Sequence, residues 1–347
     1  MHSDLLYNLA LLAVDVAVVR AWMRRRDGRS IRFGLLCLAG AGVVLARVLG
    51  EGGFGAMRLL SWGIFAHGTL ALAAATVFLR SSRIAIVPAV LGFALAGVAF
   101  DAFLIEPTWL ETTEVEVASA KVRRAITIAI VADLQTDRIG DHERESLARA
   151  LAARPDLVLL PGDFVQCWES GQDHRRVMGE FRALLLELSF GAPLGAYAVQ
   201  GNVDASDWTD SFEGTGVVAM TRTQTIELGD LSITGLSMRD SFDPRASVGP
   251  SEGFHVAFGH SPDFALGDVR ADLLVAGHTH GGQVRLPGLG PILTFSKIPR
   301  AWAAGTTRLP DGRTLVVSRG IGHERGPAPR LRFLCRPELA LVRIVPE

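Results

Sequence analysis

At 347 residues with a formal net charge of −1, the chain carries no excess of positive charge with which to hold a polyanion, which argues against nucleic acid as a partner. Its three cysteines, Cys37, Cys167 and Cys335, form no CxxC pair, so a thiolate zinc knuckle and a dithiol redox motif are excluded. Buried packing is their expected role, with a Cys167–Cys335 disulfide left open. Hydrophobic residues make up 49% of the chain but concentrate before about Leu104, so two parts adapted to different solvents are expected.

Four apolar segments open the chain: Leu5 to Trp22, Phe33 to Leu49, Leu59 to Leu79 and Ile84 to Ile105. Each approaches the ~20 residues that cross a bilayer as helix. No basic residue precedes the first segment, which therefore reads as a retained span and not as a cleaved leader. Arg24, Arg25, Arg26, Arg29 and Arg32 follow the first span, and Arg80 and Arg83 follow the third. The positive-inside rule puts both loops in the cytoplasm and everything after the fourth span outside it, with Lys121, Arg123 and Arg124 as the opposing signal. Asp15 and Asp101 lie in or near the spans, where facing a neighbouring helix or an interface accounts for them as well as function does.

From Ala125 the pattern changes to short β-branched runs (AITIAIVAD, DLVLLPGD, AYAVQGN) alternating with the helix-period stretches ERESLARALAA and HRRVMGEFRALLLEL. TQTIEL, LSITGL, FHVAFGH, ADLLVAGH and TLVVSRG follow at closer spacing and predict a second, partly antiparallel sheet. The expected architecture is N-terminal transmembrane helices plus an α/β two-sheet sandwich flanked by helices. The expected division is a membrane domain over 1–110 and a catalytic domain over 122–347.

The apolar runs end on a particular set of side chains: Asp133, Asp163, Asn202, His260, and the pair His278 and His280. Ligand sites in such sheets lie beyond the carboxyl ends of the strands, so these groups are expected in one crevice. Each has a plain explanation on its own, as a cap, a turn residue or a satisfied polar group. Together they form a mixed oxygen and nitrogen donor set without thiolate, suited to manganese, iron or zinc. Asp163 is the natural bridge between two ions, and the two histidines of GHTH serve one ion each. Two divalent ions ~3.5–4 Å apart clamp the oxygens of a phosphoryl group during in-line displacement.

In order, Asp133-Leu134-Gln135, Gly162-Asp163, Gly201-Asn202-Val203-Asp204, His260 and Gly277-His278-Thr279-His280 resemble the signature D-x-H, GD, GNHD, H, GHTH of the calcineurin-like metallophosphoesterases. GHTHGGQVRLP, SRGIG from Ser318 and FLCRPEL around Cys335 resemble the bacterial membrane-attached branch of YkuE and YaeI type. The resemblance implies one ion on Asp133, Asp163 and His280, with Gln135 in the place of the family histidine. It implies a second ion on Asp163, Asn202, His260 and His278. Asp163, Asn202 and His278 are the residues expected to carry the chemistry, and Arg285 and Arg319 are expected to hold the phosphate.

Two positions depart from that pattern. Gln135 replaces a metal-binding imidazole, so the first ion is expected to be weakly held and hard in character. Val203 replaces the imidazole assigned to the transition state or the leaving oxygen, a loss of ~10²–10⁴-fold if nothing substitutes. His142 and His323 are the candidate substitutes, each set against an ordinary surface histidine. Trp168, Trp208 and Trp302 are expected in core packing before any lip for a membrane substrate. The expected function is a multi-pass inner-membrane phosphoesterase acting outside the cytoplasm on a phosphodiester or pyrophosphate, in a small molecule or lipid. The competing reading is an impaired or inactive binding module of the same fold.

Overall fold

Strands that are apolar on both faces need cover on both sides, and the runs after Ala125 obtain it from each other and from helices. The computed structural model describes residues 2–25, 27–167 and 171–347, so Arg26 and Trp168 lie outside the described residues. The chain divides into two compact units, Met1–Ile105 with Gly326–Arg330, and Glu106–Arg325 with Leu331–Glu347.

Four helical segments, within the first unit except for the last three residues of the fourth, are long and apolar enough to cross a membrane: His2–Arg24, Gly28–Leu49, Gly52–Phe78 and Arg83–Thr108. Asp27 caps the second by accepting the N–H groups of Arg29 and Ser30. The third relaxes into a π-helix over Trp62–Gly68, which carries His67. His67 Nδ1 lies 2.5 Å from Asp15 Oδ2, and its Nε2 lies 3.1 Å from Asn8 Oδ1. Asp15 thus faces a neighbouring helix, which is one of the two plain readings of that carboxylate, while Asp101 is half-buried at the start of a second π-helical turn.

The second unit holds two six-stranded sheets. In spatial order the first runs Glu111–Ala118, Glu338–Val345, Ile126–Ile130, Leu157–Leu160, Ala196–Val199, Val217–Met220. Its last four strands are parallel, and Glu338–Val345 is antiparallel to Ile126–Ile130. The second runs Gly305–Arg308, Thr314–Val317, Leu273–Ala276, Phe254–Phe258, Leu231–Gly235, Gln224–Leu228, parallel in the middle and antiparallel at both edges. The segment Glu111–Ala118, left between the two expected domains, is a full sheet strand. Its first half, Glu-Thr-Thr-Glu, is polar and only Val115 and Val117 face the core, so its apolar signal is short; it pairs in parallel with Glu338–Val345.

Side-chain alternation then sorts the core. Ile128, Ile130, Leu159 and Val199 meet Ile233, Val256, Phe258 and Val275 between the sheets. Ala129, Val158 and Leu160 point the other way, onto Leu147 of the helix Asp141–Ala152 and Val177, Phe181 and Leu184 of the helix Gly171–Glu187. Trp208 packs there against Phe164 and Phe212, and Trp302 lies half-buried against the outer face of the second sheet. All three cysteines are free thiols; Cys335 is buried and its Sγ donates to the His280 carbonyl.

Candidate metal centre

Parallel strands share a direction, so residues just past their carboxyl ends gather at one edge of the sandwich. Asp133, Asp163, Asn202, His260 and His278 each follow such a strand. The chain turns sharply there: Asp133 (φ 49°), Gln135 (38°), Asp163 (57°), His278 (69°) and His280 (47°) are all left-handed. None is glycine, so five strained residues are held in place by their surroundings, a pattern found where function fixes the backbone. Two glycines allow the loops to close up. A Cβ on Gly201 would overlap the Asp163 carboxylate, and one on Gly277 would overlap that of Asp133.

Asp204 ties the two central loops together. Its carboxylate accepts N–H groups from Asp163 (2.9 Å), Phe164 (2.7 Å) and Gly201 (2.8 Å). Asp163 Oδ1 accepts from the Val203 N–H at 2.9 Å, which leaves Oδ2 turned to His260 Nε2 at 3.3 Å. Asp133 receives the His278 N–H on both oxygens at 3.0 Å. Each loop is therefore fixed by a carboxylate belonging to another.

The histidine rings are oriented from behind. His260 Nδ1 donates to the Pro161 carbonyl (2.8 Å), which turns its Nε2 into the crevice. His278 Nε2 donates to the Phe295 carbonyl (3.1 Å), so its Nδ1 presents a lone pair. These two nitrogens lie 3.1 Å apart, and Asn202 Oδ1 is 2.9 Å from His260 Nε2. Asp163 Oδ2 completes a group of acceptors that face one another, and among the described residues Asp163, His260 and His278 form the cluster whose ligand atoms all lie within 4.8 Å. Acceptors crowded without donors require a proton or a cation between them, so this donor set fits a divalent ion.

Charge states follow the same geometry. Burial alone would lower His260, but the Asp163 and Asp133 carboxylates outweigh it and hold the ring at about 9. Burial, reinforced by charged His260, pushes His278 down to about 4. Burial and then Arg332 keep His280 well below the usual range. Asp133 and Asp204 are both raised to about 7, chiefly by burial. Burial would raise Asp163 as well, yet His260 overrides it and holds that carboxyl below its ordinary value.

The remaining expected ligands stand beside this group. Gln135 is fully buried; its Nε2 donates to Gln166 Oε1 and Glu324 Oε2 (both 3.0 Å), and its Oε1 has no partner. Both neighbours are acceptors, so the amide orientation is set by bonding. His280 Nε2 is likewise buried without a partner. An orphaned buried amide oxygen and an orphaned buried ring nitrogen are what a further cation would use.

Other expected residues are engaged elsewhere. The Arg319 guanidinium is bound by Glu111 (2.6 Å) and Glu338 (3.3 Å) at the sheet edge. Arg285 is half-buried, with a 3.5 Å contact to the Gly281 carbonyl. His142 Nε2 bonds the Ile321 carbonyl at 3.0 Å, and His323 is buried with Nε2 3.0 Å from Arg325 Nη1, so neither is an exposed surface histidine. Gln166 and Glu324 escape sequence reading altogether. Nothing in DFVQCW or GHERG marks them as neighbours of Gln135.

Comparison with known proteins agrees with the geometry. Residues 126–282 match the family described as calcineurin-like phosphoesterase. Metallophosphoesterase YkuE of Bacillus subtilis (strain 168) is 27% identical over 266 residues, covering 68% of this chain and 86% of the relative. Phosphodiesterase YaeI of Escherichia coli (strain K12) is 26% identical over 257 residues, covering 69% and 90%. The solved structure of Yfce, a phosphoesterase from E. coli, aligns with 13% identity at a TM-score of 0.30, over 59% of this chain and 85% of that one. The segment that gathers Asp133, Asp163, His260 and His278 at its strand ends is thus similar to the calcineurin-like metallophosphoesterase domain.

Proposed function

We propose that the chain is a membrane-anchored phosphoesterase that hydrolyses a phosphodiester or pyrophosphate with two divalent ions. The observation that carries this reading is the convergence of Asp163, His260 and His278, whose ligand atoms face one point. Asp163, Asn202, His260 and His278 would hold one ion, and Asp133, Asp163, Gln135 and His280 would hold the other. The bound ions supply an activated water and neutralise the phosphoryl oxygens. The protein's own part is to fix the donors: Asp204 sets the spacing of the loops, and the Pro161 and Phe295 carbonyls set the ring tautomers.

The substrate class follows from Val203. Its side chain offers no proton to a leaving oxygen, and His142 and His323 are bonded elsewhere. The bond cleaved is therefore one whose leaving group departs without protonation, such as a phosphoanhydride or an activated diester. The four apolar helices of 1–110 are read as the anchor of a multi-pass inner-membrane protein, and the arginine pattern as placing the catalytic domain outside the cytoplasm.

Purified full-length protein should hydrolyse bis-p-nitrophenyl phosphate when manganese is added, and His278→Ala should abolish it. Absence of turnover above that variant, with metal bound, would leave the second reading. That reading, a ligand-binding module of the same fold, is favoured by the paired changes at Gln135 and Val203.

A further inference from the structure

Soluble surfaces do not usually present large apolar side chains in a cluster. The segment following the metal centre does. Residues Arg285–Leu286 and Gly290–Pro291 form a small antiparallel hairpin. On and beside it Leu286, Leu289, Ile292, Leu293 and Phe295 are 40–62% exposed. Between Asp272 and Asp311 the sequence contains no acidic residue, while Arg285, Lys297, Arg300 and Arg308 are basic. Apolar tips on a cationic segment match the boundary between anionic headgroups and acyl chains.

Hydrogen bonding fixes where this hairpin stands. Its base is paired with Phe333: the Arg285 N–H donates to the Phe333 carbonyl at 2.9 Å, and the Phe333 N–H donates to Gln283 at 3.0 Å. The next residues, Leu334 and Cys335, donate their N–H groups to the Glu106 carboxylate. Glu106 belongs to the last turns of the fourth apolar segment, Arg83–Thr108. Close to it, exposed Trp109 stacks under the Arg336 guanidinium at 3.6 Å, the amphipathic pairing suited to a membrane interface. At its other end the hairpin reaches the metal centre, since the Phe295 carbonyl accepts from His278 Nε2. Within the second unit the apolar cluster therefore runs from the segment Phe333–Cys335, held by Glu106, to the metal-binding edge.

We propose that the hairpin 284–296 docks into the bilayer surface and brings the phosphoanhydride or activated phosphodiester of an acylated lipid to the Asp163–His260–His278 centre. This rests on the reading of the chain as a membrane-anchored phosphoesterase, and it commits that reading to a lipid substrate. The hairpin acts on binding: it shares the acyl environment with the substrate and leaves the reacting atoms to the strand-end residues.

The test uses the full chain in phosphatidylglycerol nanodiscs. A photoreactive benzoylphenylalanine at Leu289 should give phospholipid adducts by mass spectrometry, and one at Val218, exposed on the sheet-edge strand Val217–Met220, should not. Adducts to protein only, no lipid adduct at 289, or equal lipid labelling at both positions overturns the docking. In the kinetic arm, Leu289→Ser with Leu293→Ser should raise KM at least ~10-fold for diacylglycerophospho-p-nitrophenol in the nanodisc, and leave KM for bis-p-nitrophenyl phosphate unchanged. Equal effects on both substrates, or none, overturn the substrate assignment. Wild-type protein that turns over neither substrate would end the phosphoesterase reading, while the labelling still decides whether the hairpin meets lipid.

Discussion

His260 Nε2 and His278 Nδ1 face each other at 3.1 Å, and the other nitrogen of each ring donates to a carbonyl on its far side. Without metal the His260 proton, held to about 9, lies in that gap, and a cation must displace it to bind both rings. Replacing either ring removes both a ligand and the reason for the other's orientation. His260→Ala and His278→Ala should each lose at least ~100-fold in affinity for the second-site ion, beyond the 10–100-fold typical of outer-shell changes. Manganese titration followed by electron paramagnetic resonance measures this; a His278→Ala protein that binds two ions as tightly as wild type would contradict it.

Glu324 and Gln135 make a second such relation. A carboxylate behind a metal-bound imidazole is a common support, and here Glu324 stands behind an amide, holding its NH₂ so that Oε1 is left free. Glu324→Ala should weaken the first ion by ~10–100-fold and leave the second untouched. Gln135→His should shift the first site toward zinc, since imidazole is the softer donor. Elemental analysis after dialysis against mixed metals reads both outcomes.

Stability of the metal-stripped protein should fall as pH rises from 7 to 9. His260 is held at about 9 because the Asp163 and Asp133 carboxylates outweigh its burial. A group whose pKa is higher folded than unfolded stabilises the fold below its unfolded value, ~6.5, and that contribution fades as pH passes the folded value. Asp133 and Asp204, raised to about 7 by burial, act in the same sense and are spent near that pH. His278 and His280, held low by burial, are neutral in the fold across this window and oppose the trend only weakly near pH 7, where the unfolded rings still hold some protons. Manganese competes with the His260 proton, so the rise in melting temperature that it produces should grow from pH 7 to 9. Scanning fluorimetry with chelator and with manganese gives both curves; a chelated protein that becomes more stable over that range would contradict the assignment.

Restoring the missing imidazole separates leaving groups. Val203→His should raise kcat by ~10-fold or more on an alkyl phosphodiester, whose leaving oxygen needs a proton, within the 10²–10⁴ range of general acids. It should change little on an activated aryl diester. Equal gains on both would mean that the valine costs binding and not protonation.

In the apolar helices, His67 is held by Asp15 and Asn8. Asp15→Ala leaves that ring without its carboxylate and should destabilise the detergent-solubilised protein by ~1–2 kcal/mol. His67→Leu with Asp15→Leu should recover much of the loss, because no unpaired polar group remains. Thermal aggregation of the two variants is the comparison to make.

Periodicity and motif order determined a great deal here without any structure. The strands from Ile126 to Val317 that bear the site alternate or run apolar over a few residues, and such patterns are local properties of a chain. The same holds for the four apolar helices and for the identity of the donors at the strand ends. Tertiary structure alone decided which distant side chains meet: Glu324 reaches Gln135 across 189 positions, Arg319 is taken by Glu111 across 208, and Glu106 captures Leu334 across 228. It also decided that the leucines after Arg285 face outward and that each histidine turns one ring nitrogen inward. Those outcomes depend on how loops from separate strands pack against one another, and residues so far apart leave no periodic trace in the sequence.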